Sequence, residues 1–236
     1  MSELVEGNEF VSSLLREGEM RYPNDHPFME LFHLGKLSKE ELREWAINRY
    51  YFHRHIPDKD AAVASNCPSD VRGLWIGKLV EEAGEGGKPS HPDLWLRFCD
   101  DLGLARNAVI NAEVLPSIKM AVDGYVNLGR HKPWRIGAGA SLTEFTVPKK
   151  MDRMITAFKT HYPFVTEEGM TFFKEHKEAD EEHGKLIIQI LTNYCKSQVE
   201  QAEAREGYFF KLDLHRVILD AVHYELLRNN GGQMIS

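Results

Sequence analysis

Apolar residues recur along the chain at three- and four-residue spacing, the period of a helix with one buried face, and no stretch alternates residue by residue as a half-buried strand does. A short amphipathic helix is expected from Glu9 to Met20, broken by Tyr22-Pro23-Asn24-Asp25-His26-Pro27, and a second from Phe28 to Leu34, ended by Gly35. Ser38 and Glu41 form a capping box for a helix reaching His55, with Leu42, Trp45, Ala46, Tyr50 and Tyr51 on it. Ile56-Pro57 interrupts that helix, Lys59 to Ser65 resumes it, and Cys67-Pro68 breaks it again before Ser69 as an N-cap. Val71, Leu74, Trp75, Leu79 and Val80 predict a helix to Glu82; beyond the Gly-rich loop Ala83 to Ser90, His91-Pro92 opens another through Asp101.

Pro116 to Leu128 reads as helix, and Pro133 is expected to start a long one running through Ile136 to Phe145, rich in Gly and Ala that permit close packing. Thr166 is the expected cap of the helix carrying His176 and His183. Ser197 and Glu200 form a second capping box, for a final helix through Arg228. The fold class is therefore all-α, one domain over residues 1–236, with 229–236 a loose tail.

Charge narrows the partners. Lys plus Arg number 29 against 36 Asp plus Glu, and a net charge of −7 disfavours nucleic acid and anionic membrane surfaces, leaving a small molecule. No run approaches the roughly 18 apolar residues of a membrane span, and no leader pattern opens the chain, so a cytoplasmic protein is expected. The three cysteines, Cys67, Cys99 and Cys195, form no Cys-x-x-Cys pair and read as reduced, buried thiols. There is no nucleophile elbow, Walker loop or dinucleotide fingerprint.

The chemistry gathers on His176-Lys-Glu-Ala-Asp180-Glu-Glu-His183. Asp180 and His183 fall about 40° and 20° from His176 around a helix axis, so the three share a stripe, while Glu178, Glu181 and Glu182 point away. His176 and His183 lie about 10.5 Å apart along the axis, a span that suits two metal ions better than one. Glu144, the only charged residue between Arg135 and Lys149, is the next candidate, because an unpaired carboxylate in apolar surroundings is costly unless coordinated. Its bland counterpart is a carboxylate paired with a Lys or Arg elsewhere. Glu81 or Glu82 and His91 flank the Gly-rich loop, which can bring two helix ends to one site. Nitrogen and oxygen donors without thiolate suit iron or manganese, with zinc also compatible.

Asn48-Arg49-Tyr50-Tyr51, Ile56-Pro57-Asp58-Lys59-Asp60-Ala61-Ala62, Asn66-Cys67-Pro68, Ser141-Leu142-Thr143-Glu144, His161-Tyr162-Pro163 and Glu182-His183-Gly184 together resemble the pyrroloquinoline quinone synthase (PqqC) family, over about Tyr22 to Asp220. The resemblance extends to TenA-like proteins and to the heme-oxygenase-like di-iron oxidases, among them the CADD-type para-aminobenzoate synthases. It implies a heme-oxygenase-like bundle of about seven helices, commonly a homodimer. The synthases oxidise a bound precursor with oxygen and no cofactor; the di-iron relatives use a Glu, His, Glu and His-x3-Asp-x2-His set. The matching residues here are Glu81, His91, Glu144, His176, Asp180 and His183, with Glu81 taken over Glu82 from the relatives' Glu-Glu pair.

Departures sharpen the expectation. The positions matching the synthases' catalytic His and Arg are Met151 and Met154, and their pocket Tyr is Phe172; the positions matching the Tyr and Lys of the CADD-type enzymes are Met29 and Met154. The resemblance thus implies an oxygen-activating oxidase or oxygenase with two Fe ions, Mn being the other fitting metal, and an external electron donor. A cofactorless quinone-forming oxidase, a para-aminobenzoate synthase and a non-enzymatic binding module are the alternatives. A small organic substrate, amino-acid-derived or aromatic, is expected in a pocket of Arg49, Tyr50, His53, Phe145, Phe172 and Lys211.

Overall fold

A computed structural model describes residues 6–22 and 26–229, without the side chains of 178–181. Of the expected tail 229–236, Asn229 is the last residue of the final helix, and 230–236, like 23–25 in the expected turn, lie outside the described residues. Helices follow in the order α1 (Gly7–Arg21), α2 (Pro27–His33), α3 (Lys39–Arg54), α4 (Ile56–Asn66), α5 (Ser69–Ala83), α6 (His91–Asp101), α7 (Arg106–Ile110), α8 (Pro116–His131) and α9 (Trp134–Ala140). A 3₁₀ turn (Ser141–Thr146), α10 (Val147–His161), α11 (Thr171–Tyr194) and α12 (Gln198–Asn229) complete the chain, and no strand occurs among the described residues.

Local chemistry explains the boundaries. The Ser38 hydroxyl accepts from the Glu41 amide at 3.2 Å while the Ser38 amide donates to the Glu41 carboxylate at 2.7 Å, and Ser197 with Glu200 repeats the arrangement at 3.3 and 2.9 Å. A third box, Ser90 with Asp93, starts α6 at His91 and was not expected. At the α3–α4 break, His55 turns its Nδ1 to the Tyr51 carbonyl at 2.7 Å.

Three boundary expectations need correction. The long helix from Pro133 is instead α9, the 3₁₀ turn and α10. Pro148, which has no amide proton and crowds the carbonyl four residues earlier, cannot continue a helix through residues 141–147. Thr166 serves a turn ahead of α11 rather than its cap: its hydroxyl accepts from the Gly169 amide at 3.2 Å and donates to Asp101, and Met170 takes the N-cap position. Pro68, not Ser69, occupies the N-cap of α5.

Two apolar clusters form the core, one around Phe28, Trp45, Trp95, Phe158 and Phe173, the other around Leu14, Val63, Trp75, Ile187 and Tyr208. The helix α11 supplies Phe172 and Phe173 to the first and Ile187, Ile190 and Leu191 to the second, so His176 and His183 fall on the stretch between. Cys67, Cys99 and Cys195 are buried and unpaired. No described helix is long and apolar enough to cross a membrane.

Candidate functional site

Helix α5 inverts the usual pattern. Its inward stripe is Val71, Trp75, Lys78 and Glu82, spaced by three and four residues, whereas Leu74 and Ile76 are 49% and 45% exposed. Glu82 is 1% exposed, and its neighbour Glu81 lies off the stripe with a side chain 66% exposed. Position in the helix therefore separates the two acids.

Three other elements bring their donors to Glu82. Glu82 Oε2 stands 2.6 Å from His91 Nδ1 at the start of α6, an ion-pair contact. His183 on α11 has its Nδ1 3.9 Å from Glu82 Oε1 and 3.8 Å from Glu144 Oε2 of the 3₁₀ turn. The His176 ring lies 4.8 Å from that of His91 and is stacked on Phe172 at 4.9 Å. Outside the cluster, Glu81 Oε2 meets His183 Nε2 at 2.7 Å; a proton on Nε2 leaves the Nδ1 lone pair facing inward. The side chain of Asp180 is outside the described residues; its position on α11 is that of the expected stripe.

Glu144 is not the lone acid the sequence implied: Lys78 Nζ is 3.2 Å from its Oε1. Lys78 also reaches Asp60 Oδ2 at 2.8 Å and Glu82 Oε1 at 3.6 Å, and Lys59 Nζ lies 2.5 Å from Asp60 Oδ1. This buried network of Lys59, Asp60 and Lys78 went unread in the sequence, although Lys78 and Glu82 at i, i+4 on the Trp75 face signalled it. Burial works against the charge on Lys78, but Asp60, Glu144 and Glu82 hold its pKa well above the usual lysine value. Burial likewise opposes ionisation of Glu82, and Lys78 with His91 overcomes it, keeping the carboxyl well below its ordinary range. Burial, and then the neighbouring His91, push His176 well below the ordinary imidazole value.

As they stand, no three His, Cys, Asp or Glu side chains among the described residues surround a common point as metal ligands do. The donors nevertheless fit an ion chemically. Glu144 Oε2 and His183 Nδ1 are buried without a hydrogen-bond partner, an arrangement costly to leave unsatisfied, and Glu82 Oε2 and His91 Nδ1 beside them meet only each other.

An adjoining cavity has Glu82, Glu144 and His176 in one wall. Of the expected pocket residues Arg49, His53, Phe172 and Lys211 line it; Tyr50 packs in the core and Phe145 is 44% exposed beside Gly184, and neither lines it. Met29, Met151 and Met154 form part of the apolar wall. Arg49 donates to His53 Nε2 at 3.3 Å, its Nη1 is 3.1 Å from His215 Nδ1, and no carboxylate among the described residues pairs with it. Lys211 Nζ rests 4.1 and 4.0 Å from the Phe52 and Tyr125 ring centres, also without an acid partner among them.

The TENA/THI-4/PQQC family matches residues 14–210. The chain belongs to that family. A pyrroloquinoline-quinone synthase of Acinetobacter baumannii (strain ACICU) is 33% identical over 232 residues, covering 96% of this chain and 90% of the relative. Among solved structures, a domain with a heme oxygenase-like fold from Shewanella denitrificans superposes with a TM-score of 0.82 at 19% identity, covering 99% of each chain. A CADD-like protein from Nostoc punctiforme gives 0.75 at 15% identity over 94% of this chain and 96% of the other. The fold of this family member is thus the expected heme-oxygenase-like one.

Proposed function

We propose that the chain is an oxygen-dependent oxidase or oxygenase acting on a small organic carboxylate, with two non-heme iron ions held by Glu82, His91, Glu144, His176 and His183 and by Asp180 of the same α11 stripe. The observation that carries this reading is the cluster of buried carboxylate and imidazole atoms at the wall of an apolar cavity, in which Glu144 Oε2 and His183 Nδ1 have no hydrogen bond and Glu82 Oε2 and His91 Nδ1 meet only each other. Glu82 replaces the expected Glu81 as ligand. Glu81 takes the outer nitrogen of His183, orienting the ring as a carboxylate commonly does behind a metal-bound imidazole. Bound iron would supply dioxygen with electrons, with manganese the other fitting metal. An external donor would restore the electrons, and a homodimer goes with the family.

The chain's own residues position the substrate. Arg49 and Lys211 are basic groups with no acid partner among the described residues, so a carboxylate satisfies them, while Met29, Met151, Met154 and Phe172 exclude water from its body.

A cofactorless oxidase of the quinone-synthase kind is the second reading, favoured by the Acinetobacter relative. Against it stand Met151, Met154 and Phe172, which line the cavity where the resemblance places a proton-transferring His, Arg and Tyr. Anaerobic Fe(II) loading and metal analysis decide between them. About two irons per chain are expected, falling below one in His91→Ala, Glu144→Ala and His176→Ala. Iron-free protein that turns over a quinone precursor establishes the second reading, and wild-type iron content in all three variants overturns the ligand assignment.

A further inference from the structure

Lys78 is wholly buried behind the cavity wall that Glu82 and Glu144 form. A lysine with no function beyond stability gains little from such a place, because an apolar side chain of similar length fills it as well. What it touches is selective. Its ammonium approaches Oε1 of Glu144 at 3.2 Å and Oε1 of Glu82 at 3.6 Å, while Oε2 of each faces an imidazole, 2.6 Å from His91 Nδ1 for Glu82 and 3.8 Å from His183 Nδ1 for Glu144. Asp60 anchors the ammonium from behind at 2.8 Å. Lys59, on the other Asp60 oxygen, donates to the Ser141 hydroxyl at 2.6 Å, at the first residue of the 3₁₀ turn that bears Glu144. One chain of buried charge thereby ties α4, α5 and the 3₁₀ turn together.

We propose that Lys78 is a positioning residue for the metal centre: by holding the outer oxygen of Glu82 and of Glu144 it fixes both carboxylates with the inner oxygen turned toward the ion. This rests on the metal reading above. The opposing account is that a lysine charge this close only repels a divalent ion. The two differ in sign: positioning makes loss of Lys78 weaken metal binding, and repulsion makes it tighten.

Cobalt(II) is a suitable probe, since its visible bands report coordination independently of turnover. Full-length wild type, Lys78→Gln and Lys78→Met are titrated with Co(II), with thermal melts alongside. Wild type is expected to bind most tightly, Lys78→Met about 10- to 100-fold more weakly with altered band intensity, and Lys78→Gln between them, because its amide still donates to one carboxylate oxygen. If Lys78→Met does not fold, the ratio of wild type to Lys78→Gln decides the sign. Equal or tighter binding in the variants overturns the positioning role, as does a variant that melts lower yet keeps wild-type affinity and spectrum. Wild type that binds neither Co(II), Fe(II) nor Mn(II) removes the metal reading itself, and this inference with it.

Discussion

In the proposed reading Arg49, half-buried, and Lys211, buried, set the chemistry of the substrate side, because both line the cavity and neither pairs with an acid among the described residues. Burial pulls the guanidinium of Arg49 down to about 10, and burial pulls Lys211 well below the ordinary lysine value. Binding of a monocarboxylate then has a defined pH course. The anion pairs with protonated Lys211, so affinity is full below the lysine pKa and declines as pH rises through it, while Arg49 keeps its charge to about 10. Calorimetric titration with benzoate or hexanoate between pH 6 and roughly 10 tests this. Lys211→Met is expected to flatten the decline. Arg49→Met is expected to cost about 10- to 100-fold at every pH, the value of a charge-assisted hydrogen bond. A Lys211→Met profile that still falls in parallel with wild type assigns the titration to another group.

At the scale of elements, the site depends on how closely the 3₁₀ turn approaches α11. A Cβ on Gly184, next to His183, would stand 2.6 Å from the Phe145 Cα, and backbone cannot yield as a side-chain end can. Gly184→Ala is expected to force the turn bearing Glu144 away from His183, costing about 1–3 kcal/mol of stability and weakening metal binding. Gly77 on α5 has nothing within 4 Å of its added Cβ, so Gly77→Ala should stabilise by about 0.5–1 kcal/mol without touching the metal. Paired melts and metal titrations separate these outcomes; equal effects from the two substitutions contradict the argument.

The same elements show what the sequence could reveal. Ser38 with Glu41 and Ser197 with Glu200 announced two helix starts because a capping box is a local contact. The inward direction of His176 and His183 was legible from spacing along one helix. The break at residues 141–147 was written in Pro148 but masked by the helix-like run of Gly and Ala before it. Lys78 escaped notice because charge at that position suggested solvent, and Glu82, a candidate beside Glu81, was passed over on the relatives' Glu-Glu pair. Their place on the Trp75 stripe was visible, but the partners that make burial tolerable, Asp60 and Glu144, come from other elements and only folding shows them.

For the molecule as a whole, the candidate centre joins α5, α6, the 3₁₀ turn and α11, four elements that otherwise meet through two separate apolar clusters. An ion bound only by the folded chain therefore stabilises the entire bundle. At a free metal concentration 100-fold above the dissociation constant the gain is about 2.7 kcal/mol. For a chain of 236 residues this raises the melting temperature by roughly 5–10 °C. Scanning calorimetry in EDTA and in excess Mn(II) measures the difference. His91→Ala removes a ligand at the helix start but leaves Lys78 to neutralise Glu82 and Glu144, so its metal-free melt should stay near that of the metal-free wild type while most of the metal-induced rise disappears. A His91→Ala protein that retains the full rise places the ion elsewhere. One whose metal-free melt alone collapses shows that the Glu82–His91 contact serves the fold rather than the ion.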